Sequence, residues 1–393
     1  MHPVITDFHI IRPSLELSQE ETLAWIAKAH KKAEGKKENK TNEDPEMQLF
    51  HEELKSRLYK LGIGKEKIQK RGLEFADFSH LDWEKMEIFS FENSLEGANF
   101  TKRSALFDTI STKKFEEFYP ENAKAPDHLI HVTCTGYVAP SGAQKIISKR
   151  DFGKKSIVTH AYHMGCYGAM PAIRMAQGFF HTSPTTTAHI DIVHTEVCSL
   201  HMNPLLHETE QLVVQTLFAD GFIKYSLLCQ QSIPKGKPYF TILCTLDEIV
   251  PNTLEKMTWK CESWGLRMTI SKDIPILLGK ALPLFAQRLF EKAGLSKDLI
   301  TQSLFAIHPG GPKIISQVAN LLGLQPDQIS HSEEILTNFG NMSSATLPHI
   351  WDKILKDDKT PSETLIVSLA FGPGLNISGS LMRKSTGGEL CTF

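Results

Sequence analysis

The sequence predicts an α/β fold, and two observations carry that prediction. From about residue 128, short apolar or β-branched runs alternate with longer stretches of helical pattern, the interleaving of a sheet covered by helices. The chain has 393 residues and 41% hydrophobic content, enough for one large two-part domain or two smaller ones. The strand-like runs are HLIHVTCTGYV, KSIVTHAYHM, HIDIVHTEVCSL, FIKYSLLCQ, YFTILCTL and LIVSLAF. Between them lie AMPAIRMAQGFF, ILLGKALPLFAQRLFEKAG and PKIISQVANLLGL, each with a helical period. The second part, from about Pro234, again runs strand to helix to strand; a duplicated architecture, split into 1–233 and 234–393, is possible, but periodicity alone does not show it.

The first sixty residues read as helical. Ser18 and Glu21 form a capping box ahead of Leu23, Trp25, Ile26 and Ala29. Residues 31–46, KKAEGKKENKTNEDPE, have no apolar period and mix both charge signs, which predicts a solvated loop. From Glu53 the helical pattern resumes with Leu54, Leu58 and Leu61. Arg57, Lys60, Lys65, Lys67, Lys70 and Arg71 ring it as a basic helical face, open to solvent or to an anionic ligand.

Composition excludes several classes. Lys+Arg 43 against Asp+Glu 45 leaves a net charge of −2, so no basic excess marks a nucleic-acid surface. The opening MHPVITDFHIIRPSLEL lacks a basic leader region and is broken by charges, unlike a signal peptide. No window approaches a membrane span. The seven cysteines (134, 166, 198, 229, 244, 261 and 391) contain no CxxC pair; a disulfide framework or structural zinc is not expected, and a reducing cytoplasm is. His160, His163, His181, His189 and His194 fall at no metal-ligand spacing. No Gly-rich nucleotide fingerprint or Walker loop is present.

The segment SIVTHAYHMGCYGAMPAIRMAQGF is the most informative for chemistry. A strand runs into Gly165, Cys166, Tyr167 and Gly168, then a helix from near Ala169 with Pro171 in its first turn. Such a turn presents the Cys166 sulfur at a helix N-terminus, where free N–H groups favour a thiolate; a buried, inert cysteine is the competing reading. Acyl transfer by a thiolate needs a proton-handling partner and donors for a developing oxyanion. His308 sits at a predicted strand end, followed by Gly310, Gly311 and Pro312 at a helix start, with Gly323 closing that helix. Asn341 lies between Gly340 and a run of small residues, as a site residue or as a turn asparagine. A Gly-Pro-Gly turn follows Phe371.

In order, CTGYVAPS, MGCYGAMPAIRMA, LVVQTLFADG, AIHPGGPKI, FGNMSSA and AFGPGL resemble the chalcone synthase-like (type III) polyketide synthases, over about Glu53 to Leu381. The resemblance implies a thiolase fold, a pseudo-duplicated αβαβα architecture, with the nucleophile in the first half, the His and Asn in the second, and a homodimer. It implies that Cys166 takes an acyl group from a CoA thioester and that His308 and Asn341 donate to the thioester oxygen. Malonyl-CoA would be the extender, and no metal or other cofactor would be needed. Phe218 matches the gatekeeper aromatic. Arg57, Lys60 and Lys65 match residues that grip CoA phosphates, and Lys313 with Gly310 and Gly311 lies where the pantetheine arm passes.

Departures bear on the substrate. Met268 replaces a second gatekeeper phenylalanine, and Cys134, Cys198 and His201 replace threonines. Trp259 replaces a glycine; Ser343 matches the usual serine, and Phe371 belongs to the same pocket. These residues argue against a phenylpropanoid starter, and Cys198 with the two residues after it is similar to bacterial members that take fatty acyl starters. The expected products are alkylpyrones or alkylresorcinol-type phenols. A single-step ketoacyl synthase using acyl carrier protein thioesters, a Cys-His-Asn hydrolase and a non-catalytic acyl-CoA-binding relic use the same residues.

Overall fold

The computed structural model describes residues 3–183 and 188–387. Its strands are β1 (Pro3–Ile11), β2 (Leu15–Ser18), β3 (Lys70–Leu73), β4 (His128–Thr133), β5 (Ile157–Tyr162), β6 (Ile190–Glu196), β7 (Gly221–Cys229), β8 (Pro238–Ile249), β9 (Met257–Cys261), β10 (Leu266–Ile270), β11 (Leu304–Ile307), β12 (Leu365–Gly372) and β13 (Asn376–Thr386). Its helices are α1 (Gln19–Lys37), α2 (Pro45–Leu61), α3 (Phe100–Phe118), α4 (Gly142–Lys149), α5 (Ala169–Thr182), α6 (Thr209–Leu217), α7 (Ile274–Lys292), α8 (Pro312–Leu322), α9 (Pro326–Phe339) and α10 (Thr346–Lys356).

Nine strands join in the order β11-β12-β13-β8-β1-β7-β6-β4-β5. The pattern of directions occurs twice. β4 and β6 are parallel, and β7 and β1 follow antiparallel; β11 and β12 are parallel, and β13 and β8 follow antiparallel. β1 and β8 pair antiparallel where the two sets meet, and β5 extends the β4 edge. This repeat of directions is the pseudo-duplication that the resemblance implies.

The core explains the layering. Met170 and Ile173 of α5 and Ile350 and Trp351 of α10 share one buried cluster with Ile130 and Ile192 of one strand set and Ala306 and Ile366 of the other. Alternate residues Leu129, Val193 and Phe222 point to the opposite face, under α1, α3 and α4, because successive strand side chains leave opposite faces. Phe305 and Val367 likewise meet α7 and α8. Strands covered on both faces read as near-continuous apolar runs, which is why these were visible in the sequence. The order helix, sheet, helix, sheet, helix is the thiolase fold.

Three expectations about the N-terminal region are corrected. Its opening is strand, not helix: β1 sits at the centre of the sheet with Val4 and Ile5 fully buried. A register shift between Thr6 and His9, with Asp7 at φ 58°, breaks the alternation that would have marked it. The charged stretch 31–46 is loop only from 38 to 44; α1 runs to Lys37 and α2 begins at Pro45. Lysine and glutamate are good helix formers, and Ala29 and Ala33 continue the buried stripe of α1. The basic face is also not one helix. Arg57 and Lys60 lie on α2, whereas Lys70 and Arg71 lie on β3, and Arg71 is only 2% exposed.

Cys134, Cys166, Cys198, Cys229, Cys244 and Cys261 are free thiols, and Cys391 lies outside the described residues. Among the described residues no helix is long and apolar enough to cross a membrane.

Burial also sets an acid limit on the fold. It pushes His30, His194, His201 and His308 from the ordinary 6.5 down to about 3, and His349 to about 4. A group with a depressed folded pKa leaves the unfolded chain binding more protons once the pH drops below 6.5. The stability these neutral rings contribute is therefore full above 6.5 and is lost as the pH falls toward 3. At about pH 5 each costs about 2 kcal/mol. The unfolding midpoint should thus fall by about 10 °C or more between about pH 7.5 and about pH 5; an unchanged midpoint across that window would contradict this reading.

Candidate active site

The turn carrying Cys166 is built by glycine. After β5, Gly165 adopts φ 77°, and a Cβ there would stand 2.5 Å from Pro373 Cδ. One 3-10 turn, Gly165–Tyr167, then leads into α5, whose third residue is Pro171. The sulfur of Cys166 is thereby placed at the start of a helix in the central layer, 7% exposed. Gly165→Ala combines a left-handed backbone with a steric clash; it should cost about 2–4 kcal/mol, measured by thermal unfolding, and reduce thioester transfer to Cys166 in the protein that folds.

Cys166 lines a narrow slot of about 60 Å³. Phe218, Met268, Cys134, Cys198, His201, Trp259 and Ser343, all predicted as pocket residues, line it too. Trp259 Nε1 donates to the Cys134 carbonyl at 2.7 Å, which pins the β9–β10 hairpin over the slot. His201 is a second pin: its Nε2 meets Thr135 O at 2.9 Å and its Nδ1 accepts from Leu266 N–H at 3.1 Å. Both ring nitrogens are committed, and burial keeps the ring neutral. Phe371 is instead buried in the core with α7 and α8 and does not line the slot.

His308 and Asn341 are fully buried. His308 follows β11, and its N–H donates to Leu369 O of β12 at 2.8 Å; four residues on, Pro373 reaches the slot and abuts Gly165. Asn341 is tied to the end of α6 by Asn341 N–H to Leu217 O at 3.1 Å and Ala219 N–H to Asn341 O at 2.8 Å. Its Oδ1 accepts from Ser343 N–H at 2.8 Å, which orients the amide. Its Nδ2 has no partner, and neither ring nitrogen of His308 has one. Unpaired buried polar atoms are costly, and three on these two residues mark groups held ready for a ligand.

The electrostatics correct one expectation. Burial pushes the Cys166 thiol up to about 12, opposed by hydrogen bonding to Ser343, whose Oγ is 4.0 Å away, and by the nearby Asn341 amide; the Glu196 carboxylate adds repulsion. Cys134 and Cys198 are raised well above the ordinary thiol range for the same reasons. Burial thus works against the thiolate that the helix N-terminus favours, and a thiol raised in this way must lose its proton as it reacts. His308, neutral and unpartnered, has a free acceptor nitrogen, but neither it nor Asn341 is among the residues that line the slot with Cys166.

The residues assigned to CoA lie outside the slot. Arg57 is half-buried, with Nη2 donating to His207 O at 2.6 Å. Lys60, Lys65 and Lys313 are exposed, and Gly310 and Gly311 precede α8. Sequence reasoning missed Glu196, which accepts the Cys134 N–H (3.1 and 3.0 Å) and the Thr135 hydroxyl (2.8 Å) behind the thiols. It also missed Arg71, Gln211 and Gln215 on the slot wall. No local signal reveals them, since their placement comes from pairings far apart in sequence. Among the described residues, no group of three or more His, Cys, Asp or Glu side chains is arranged to hold a metal.

The family of chalcone and stilbene synthases, C-terminal domain, matches residues 241–386, the part holding His308, Asn341 and the Gly-Pro-Gly turn. Over 260 residues, 65% of this chain, the chain is 32% identical to probable polyketide synthase 1 of Dictyostelium discoideum and 26% identical to type III polyketide synthase C of Arabidopsis thaliana. Residues 241–386 thus carry the chalcone and stilbene synthase C-terminal domain, and the chain is similar to type III polyketide synthases over 65% of its length. The match covers 8% of the much longer Dictyostelium protein and 67% of the Arabidopsis one. The fold agrees along nearly the whole chain. The C-terminal type III polyketide synthase domain of Steely1 from Dictyostelium superposes with TM-score 0.80 at 24% identity, covering 98% of this chain and 99% of that one. The 1,3,6,8-tetrahydroxynaphthalene synthase of Streptomyces coelicolor A3(2) gives 0.76 at 20% identity, covering 98% and 99%.

Proposed function

We propose that this chain carries out decarboxylative condensation of malonyl-CoA onto an acyl-CoA starter through an acyl-Cys166 intermediate. The observation carrying this reading is a buried thiol on the slot wall together with two buried residues, His308 and Asn341, whose ring nitrogens and Nδ2 have no hydrogen-bond partner among the described residues. In priming, the Cys166 thiol attacks the thioester carbonyl, His308 takes the thiol proton, and that proton leaves with CoA. In extension, loss of carbon dioxide from malonyl-CoA leaves an enolate whose oxygen accepts from a His308 N–H and from Asn341 Nδ2. Neutral donors stabilise that charge without protonating the carbon nucleophile. The enolate carbon then attacks the acyl carbonyl, the C–S bond breaks, and the Cys166 thiolate is released. As written, these steps use only CoA thioesters and the chain's own side chains.

The same reading extends to an aliphatic starter and an alkylpyrone or alkylresorcinol-type product. Met268 is a flexible apolar side chain in place of an aromatic wall, and Ile26, Leu73, Phe78 and Val214 add apolar lining. The test is product mass spectrometry with acyl-CoAs from short to long and isotope-labelled malonyl-CoA. Labelled ring products strongest with medium or long alkyl starters are expected; products only from aromatic starters would overturn the aliphatic assignment. Carrier-protein thioesters run in parallel identify the donor. A homodimer is proposed on the resemblance alone, and light scattering of the purified chain tests it.

A further inference from the structure

We propose that Arg71 grips a planar two-oxygen group of the bound chain, namely the β-dicarbonyl unit that extension creates. This rests on the condensation reading above. Arg71 on β3 lines the slot and is 2% exposed. Its Nη1 donates to Gln215 O at 2.8 Å and Phe218 O at 2.7 Å, which fixes the guanidinium against the gate residue. Nε and Nη2 have no partner. These two nitrogens share one edge of the planar group, the fork that matches a pair of coplanar oxygens.

Nothing among the described residues answers that fork. The nearby carboxylate of Asp220 is occupied elsewhere: its Oδ2 accepts from Glu74 N–H at 2.8 Å and Ser199 Oγ at 2.6 Å, and its Oδ1 from Ser199 N–H at 2.9 Å. Arg71 makes no ion pair among the described residues, and no other Lys or Arg lines the slot. Burial lowers its pKa to about 9, so it stays cationic at neutral pH. A Cβ on Gly340 would come within 3.1 Å of Arg71 Cγ, so glycine there keeps room for the side chain. A buried, fixed guanidinium with one idle edge is costly unless a ligand completes it.

Condensation supplies a suitable ligand. Each extension places a second carbonyl two carbons from the thioester, and loss of the acidic proton between them gives an enolate with two coplanar oxygens. An arginine fork binds this shape bidentately, as it binds a carboxylate. A terminal carboxylate on the starter presents the same shape, and the experiment separates the two.

Wild-type protein is titrated with pentane-2,4-dione across a pH series, reading the near-ultraviolet absorption of its enolate. The enolate should form at lower pH with protein than in buffer, and the dione should bind about tenfold or more tighter than pentan-2-one. Arg71→Lys should remove about tenfold of that preference and lower the ratio of extension to Cys166 acylation in the same sense. Equal binding of dione and monoketone by wild-type protein would overturn the proposal whether or not Arg71→Lys folds. Faster acylation of Cys166 by adipoyl-CoA than by hexanoyl-CoA, reversed in Arg71→Lys, would overturn the β-dicarbonyl assignment in favour of a starter carboxylate. The dione titration needs no condensation, so failure to extend malonyl-CoA would sink the functional reading without deciding this one.

Discussion

Cys166→Ala is expected to abolish condensation while leaving decarboxylation of malonyl-CoA in place. In the proposed reaction the thiol carries the acyl group between two half-reactions, and without it no covalent intermediate would form. Removing the nucleophile of such a catalytic unit costs a factor of about 10⁵ or more. Decarboxylation depends on the hydrogen bonds that receive the enolate oxygen, and those come from His308 and Asn341. Cys166 is small and buried, so alanine fits with little change in the unfolding midpoint. The check is simultaneous counting of released carbon dioxide and of polyketide. Loss of both in a folded variant would show that Cys166 is needed for more than carrying the acyl group.

The second large effect falls on the two donors. Asn341→Ala and His308→Ala should each slow malonyl-CoA decarboxylation by about 10²–10³, the usual loss for one oxyanion donor. They should differ in priming. His308→Ala removes the proton acceptor for a thiol that burial holds near 12, so acylation of Cys166 should fall as well and recover partly as the pH is raised. Asn341→Ala leaves that acceptor in place, and its priming should fall much less. Rapid-quench measurement of acyl-Cys166 against carbon dioxide release resolves the two steps; an identical pattern in both variants would contradict the division of roles.

The residues proposed for chemistry were legible because each lies in a short motif whose local geometry is encoded next to it. Gly165 with its positive φ and the helix at Ala169 set Cys166 at the helix start, and Gly310, Gly311 and Pro312 break β11 from α8 just after His308. Gly340, at φ 72°, sets Asn341 off from the end of α9. The doubly covered strands from residue 128 onward were legible for a similar reason, since burial on both faces leaves unbroken apolar runs. Where the information is non-local, the sequence was silent or misleading. β1 owes its place to pairing with β7 and β8, more than two hundred residues away. Arg71 sits in a run of lysines that looks solvated, yet its burial comes from β3 packing beneath the 215–218 segment. The thiolate expected of Cys166 rested on the helix terminus alone, and no sequence pattern reports how completely the neighbouring layers desolvate it. His201 and Trp259 appeared as pocket substitutions, but their hydrogen bonds to Thr135 and Cys134 show that they also hold the hairpin over the slot.

The most direct measurement is intact-protein and peptide mass spectrometry of the wild-type chain, first with hexanoyl-CoA and then with isotope-labelled malonyl-CoA. The account predicts a hexanoyl adduct on the Cys166 peptide that disappears when malonyl-CoA is added, as labelled carbon appears in a released product. Free hexanoate without label, or an acyl group on another residue that turns over while Cys166 stays unmodified, would contradict it.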